Sequence, residues 1–147
     1  MSGKITHYTQ GSSYGCAATC VCMCMKVSPS EVHAKYPDLD LWAIANWRNF
    51  AGLYGYTTDP EVPGQLGGYQ KIFELLKSGY PVIVKVAAGY STSNDDHWVV
   101  VTKYKGSGTN FSANQFTCSD PAKSASETPL NEAERFKGVY KYIVVKK

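Results

Sequence analysis

No stretch of this sequence approaches the length of uninterrupted apolar residues needed to cross a bilayer, which argues against integral membrane association. The opening residues, MSGKITHYTQ, lack both the apolar core and the small-residue cleavage pattern of a signal peptide, so synthesis in the cytoplasm is expected. Charge of one sign is also scarce. Fifteen Lys plus Arg against twelve Asp plus Glu leave a formal net charge of +3, too little for a dedicated nucleic-acid surface. A mild basic bias at Arg135, Lys137, Lys141, Lys146 and Lys147 reads as solubility of the tail. No internal repeat or low-complexity segment breaks the chain into units. Five cysteines, an odd number without an export signal, argue against a disulfide framework. Histidine is limited to three positions, which narrows any search for a base.

What remains is the composition of an ordinary globular protein, with 44% hydrophobic and 18% charged residues over 147 positions. A chain of that length buries a sizeable core by itself, and dividing it would leave neither half enough interior, so a single domain over 1–147 is expected. Four of the cysteines crowd into GCAATCVCMC. On a helix, Cys16, Cys20 and Cys24 would lie along one side over roughly 12 Å of axis. One tetrahedral zinc ion does not reach three thiolates spread that far, so small-residue packing is the better reading for most of the cluster.

The first helix is expected from about Cys16 to Met25, buried on nearly every side because Ala, Cys, Val and Met give it no polar face. Ser28-Pro29-Ser30-Glu31 marks a second helix start, with Ser28 as cap, Pro29 at the first position and Glu31 completing a capping box; this helix ends before Pro37. A third is expected from near Asp40 to Gly52, on an apolar stripe of Leu41, Ile44, Ala45 and Trp47. Asp59 to Gly68 reads as a loop, and Ile72, Phe73, Leu75 and Leu76 drive a further helix ended by Gly79. Strands follow at Val82–Val86, at His97–Thr102 after a polar loop Gly89–Asp96, around Asn114–Cys118, and at Val139–Val145, with a turn at Lys105–Gly108. Helices first and strands afterwards indicate an α+β fold, with N-terminal helices packed against a C-terminal antiparallel sheet.

Cys16 would sit at the exposed N-terminal end of the buried first helix, where free backbone N–H groups and the helix field favour a thiolate. Gly15 and Ala17 beside it let a substrate carbonyl approach. Cys20, Cys22 and Cys24 lie deeper, away from solvent. A thiolate nucleophile needs a base from another element. His33 falls within a small amphipathic helix and His7 in the leading segment, and both read as surface or satisfied structural residues. His97 starts an apolar strand directly after Asp95-Asp96, at a rim where a polar loop meets the core. Asp120, restrained by Pro121, is suited to orient an imidazole, although Asp95, Asp96 and Asn114 compete for that role on position alone.

The segments Gln10-Gly11-Ser12-Ser13-Tyr14-Gly15-Cys16-Ala17-Ala18, Gly79-Tyr80-Pro81-Val82-Ile83-Val84, Asp96-His97-Trp98-Val99-Val100-Val101 and Ser119-Asp120-Pro121 together resemble the peptidase C39-like branch of the papain-like cysteine peptidase superfamily. The resemblance implies a papain-like fold in which Cys16 is the nucleophile, His97 the base and later acid, Asp120 its orienter and Gln10 an oxyanion donor. A departure from the family pattern is that Gly15 precedes Cys16 and Ala17-Ala18 follow it, where Gly-Pro is usual after the Cys region. No metal, nucleotide or redox cofactor is implied. The resemblance further implies a peptide or peptidoglycan substrate. Relatives include cell-wall-degrading modules of lysins and effectors as well as processing peptidases for double-glycine leaders. Cleavage of cell-wall amides is the expectation here, acting at the wall after lysis or non-classical export, with leader processing and a catalytically silent peptide-binding protein as alternatives.

Overall fold

A computed structural model of the chain describes residues 4–10, 15–39, 47–60, 65–66, 68–87, 97–108 and 110–147. Helix α1 spans Cys16–Met25, and every residue from Ala17 to Met25 is buried, as a helix without a polar face requires. It ends in a left-handed turn at Lys26 (φ 61°), whose N–H bonds to the Met23 carbonyl while the Val27 N–H bonds to that of Cys22. This paired pattern closes the last turn in the way a glycine usually permits. Helix α2, Pro29–Lys35, starts where the Ser28 hydroxyl accepts the Glu31 N–H at 3.1 Å. Helix α3 is Trp47–Gly52; the expected start near Asp40 and the stripe residues Leu41, Ile44 and Ala45 lie outside the described residues.

Two short strands, β1 (Thr57–Asp59) and β2 (Gln65–Leu66), occupy part of what reads in sequence as a loop. Both owe their strand character to a partner far along the chain, which local propensity does not register. Helix α4, Tyr69–Lys77, then ends at Gly79 (φ +92°), with Gly79 N–H on Leu76 and Tyr80 N–H on Leu75. The strands β3 (Val82–Ala87), β4 (His97–Tyr104), β5 (Phe116–Ser119), β6 (Thr128–Pro129) and β7 (Lys141–Lys146) complete the order. The polar loop expected over Gly89–Asp96 falls outside the described residues. Asn114 belongs to a 3-10 turn, Ala113–Gln115, and not to β5, because Ser112 and Gln115 form a reciprocal cap that holds the backbone curled until Phe116.

The strands lie in the order β1-β7-β3-β4-β5-β6, with β2 also beside β7, and every pairing is antiparallel. The last strand in sequence therefore sits inside the sheet, between β3 on one side and β1 with β2 on the other. Alternation along the strands divides the core between two faces. Ile83, Trp98, Val100, Ile143 and Val145 pack with α1, whereas Val82, Val84, Val99, Val101 and Val144 pack with Ile72 and Leu76 of α4. The architecture is α+β, with α1 packed against β4, β3 and β7. The fourth helix adds a layer on the opposite face, where Phe73, Tyr104, Phe111 and Phe116 form a ring cluster with centroids 4.9–6.3 Å apart.

Candidate active site

Cys16 is the first residue of α1, preceded by a buried Gly15 in extended conformation (φ −93°, ψ −176°). The Gly15 carbonyl accepts both the Thr19 N–H (3.1 Å) and the Thr19 hydroxyl (2.7 Å), which anchors the first turn. Backbone N–H groups in that turn have no partner within the helix and point outward past the Cys16 position. Of the five cysteines, Cys16 alone is partly exposed; Cys20, Cys22, Cys24 and Cys118 are buried. Burial pushes the Cys22, Cys24 and Cys118 thiols up to about 12, and it raises Cys20 as well. These four are packing residues held as neutral thiols, and Cys20 donates to the Trp98 carbonyl at 3.4 Å.

The other half of the site comes from one end of the β4–β5 pair. Register aligns Val100 with Ser119, so His97, three residues before Val100, and Asp120, one residue after Ser119, both lie beyond the same end of the ladder. His97 is 4% exposed, and its Nε2 donates to Asp120 Oδ1 at 2.8 Å. Asp120 is fully buried and accepts two further bonds, from the Ala122 N–H on Oδ1 (2.9 Å) and from the Glu134 N–H on Oδ2 (2.7 Å). Burial on its own would raise the carboxyl, but the bonds from His97, Glu134 and Ala122 outweigh it and hold Asp120 below its ordinary value. Burial likewise opposes a charged His97, yet Asp120 and then Cys16 favour the imidazolium, pushing it up to about 9.

The remaining sequence candidates are placed differently. Gln10 is exposed, and its backbone N–H donates to the Pro121 carbonyl at 2.8 Å, putting it beside the turn that carries Asp120. His33 is exposed on α2. His7 is half-buried with both ring nitrogens engaged, one by the Ser119 hydroxyl and one by the Lys123 carbonyl at 2.8 Å. Asn114 is exposed and bonded to the Ser112 hydroxyl at 2.6 Å, while Asp95 and Asp96 lie outside the described residues. Among the described residues no three His, Cys, Asp or Glu side chains converge as metal ligands would. The amides of Ala122 and Glu134 were not legible as site groups, since a backbone N–H carries no residue identity and Glu134 arrives from fourteen residues beyond Asp120.

The family model described as Peptidase_C39 like matches residues 3–146. The chain belongs to the Peptidase_C39 like family. No curated protein matches it. Membership suggests a cysteine peptidase with a peptide substrate. In this Peptidase_C39 like chain no helix among the described residues is long and apolar enough to cross a membrane.

Proposed function

We propose that residues 1–147 form one papain-like peptidase domain that hydrolyses amide bonds through Cys16, His97, Asp120 and Gln10. The observation that carries this reading is a single buried imidazole, His97, bonded through Nε2 to a carboxylate, with the partly exposed thiol of Cys16 among the groups that favour its charged form. Cys16 gives its thiol proton to His97, the sulfur attacks the carbonyl carbon, and the C=O pair moves onto oxygen. The Cys16 backbone N–H and the Gln10 side-chain amide donate to that oxyanion. His97 passes its proton to the leaving amine as the C–N bond breaks, giving a thioester on Cys16. Water, deprotonated by His97, then attacks the thioester, releasing a carboxylate and restoring the thiol. Asp120 holds the ring so that Nε2 carries a proton throughout and Nδ1 faces the sulfur.

The substrate in this proposal is the peptide portion of peptidoglycan. The family match supports a peptide substrate, and the stem peptides of peptidoglycan offer amide bonds of that kind. Action at the wall follows lysis or non-classical export. The test joins labelling to turnover. With iodoacetamide on the native protein, Cys16 should react at least about tenfold faster than the other four cysteines, because it alone is partly exposed and they are buried. Digested walls should then gain amino groups without new reducing sugar ends, and Cys16→Ala should abolish the gain. An unreactive Cys16 would remove the catalytic reading. Intact walls together with a cut double-glycine leader would replace the substrate while keeping the chemistry.

A further inference from the structure

Two parts of the proposed site, Gln10 and Asp120, are joined by a residue outside it. The turn Ser119–Lys123 presents Asp120 inward and is closed by the Lys123 N–H on the Asp120 carbonyl at 3.0 Å. His7 bridges the two ends of this turn, with Nδ1 on the Ser119 hydroxyl and Nε2 on the Lys123 carbonyl at 2.8 Å. Three residues later the chain touches the middle of the same turn, through the Gln10 N–H on the Pro121 carbonyl at 2.8 Å. The leading segment is pinned to the helix as well, by the Thr6 N–H on the Met23 carbonyl at 3.2 Å.

We infer that His7 is a positioning residue, which clasps the segment bearing Gln10 to the turn bearing Asp120 so that oxyanion donor and imidazole orienter move as one unit. This rests on the catalytic reading of Gln10 and Asp120 above. A carbonyl only accepts, so the Lys123 bond fixes the proton on Nε2 and leaves Nδ1 to accept from Ser119. Met23 Sδ lies 3.2 Å from the Ser119 oxygen and offers that hydroxyl a second acceptor. A charged ring is therefore also accommodated: Nδ1–H donates to Ser119, whose proton turns to Met23. The clasp holds in either state of the ring. Without it, the Gln10 segment keeps one backbone bond to the turn, and the oxyanion donor loses its fixed distance from the carbonyl it must meet.

The experiment compares His7→Ala and His7→Gln with the parent, using a soluble muropeptide and a double-glycine leader peptide, and reads amide hydrogen exchange on the same proteins. In His7→Ala, kcat should fall at least about tenfold with KM within about twofold, the pattern of a contact used in the transition state. The Gln10, Ala122 and Glu134 amides should exchange at least about tenfold faster while those of β3 and β4 stay unchanged. His7→Gln keeps one donor and one acceptor and should recover most of both effects; it also serves if the Ala variant does not fold. In a Gln10→Ala background, His7→Ala should cost less than in the parent, since part of its effect passes through Gln10. Unchanged protection of these three amides, or an unchanged kcat per folded molecule, overturns the proposal. Hydrolysis that survives Cys16→Ala instead overturns the catalytic reading, and the clasp is then judged by the exchange rates alone.

Discussion

At the scale of single residues, His97 and Asp120 shift in opposite directions, and each shift has a pH window. His97 is raised from 6.5 to about 9, so the stability it contributes is fully present below 6.5 and is lost as pH rises through about 9. Asp120 is lowered from 3.8, so its contribution is present above that value and lost as pH falls through the depressed one. Catalysis that uses the His97 proton for the leaving amine inherits the upper limit. Replacing Asp120 by Asn removes the charge that favours the imidazolium. The alkaline limb of the kcat/KM profile should then move down by at least about one pH unit, and kcat should fall by about 10²–10⁴-fold. A pH–rate series with NMR titration of the His97 ring checks both; an unmoved alkaline limb would show that Asp120 does not set the state of the ring.

At the scale of elements, the two ends of α1 are built from different compromises. Its start places Cys16 after Gly15, which has no side chain to cap the first N–H groups. Its end places Lys26 in the left-handed region, at φ 61°, where a side chain costs about 1 kcal/mol relative to glycine. Lys26→Gly should accordingly stabilise the protein by up to about 1 kcal/mol, offset in part by the greater freedom of glycine in the unfolded chain. Thermal unfolding should show a rise of up to about 4 °C with turnover unchanged, because Cys16 lies at the other end of the helix. A fall in melting temperature would mean that the Lys26 side chain makes a contact worth more than the backbone relief. Gly79 uses the same turn geometry with the residue that fits it, at φ +92°.

At the scale of the whole molecule, the sheet carries the site because its two faces are filled independently. Ile143 of β7 is fully buried on the α1 face, whereas Leu53 is 46% exposed beyond α3. Ile143→Ala should destabilise by about 2–5 kcal/mol through lost burial and a residual cavity, and Leu53→Ala should stay within about 0.5 kcal/mol. Denaturant unfolding of both variants measures the contrast; similar midpoints would mean that β7 is not the central, packed strand described above.

Much of this organisation is written in local sequence. The Ala, Cys, Val and Met run of α1 dictated a buried helix with Cys16 at its start, the Ser28-Pro29 signal set the start of α2, and the β-branched runs at Val82 and His97 set β3 and β4, because periodicity and capping act within a few residues. The resemblance carried by Gln10, Cys16, His97 and Asp120 picked Asp120 out from Asp95, Asp96 and Asn114, a choice that position alone left open. Other features depended on partners distant in the chain. β1 and β2 exist because β7 returns beside them, α4 covers the face of the sheet away from α1, and the Ser112–Gln115 cap turned Asn114 out of β5, although that Ser-x-x-Gln spacing was there to be read. The same holds at the site: the Glu134 and Ala122 amides on Asp120, and His7 across Ser119 and Lys123, join groups by backbone atoms or over more than a hundred residues. Chain-local energies determine the longer helices and the β-branched strands, whereas only the assembled sheet determines the short strands and which hydrogen-bonding groups meet, since such bonds depend on three-dimensional distance and leave no periodic trace in the sequence.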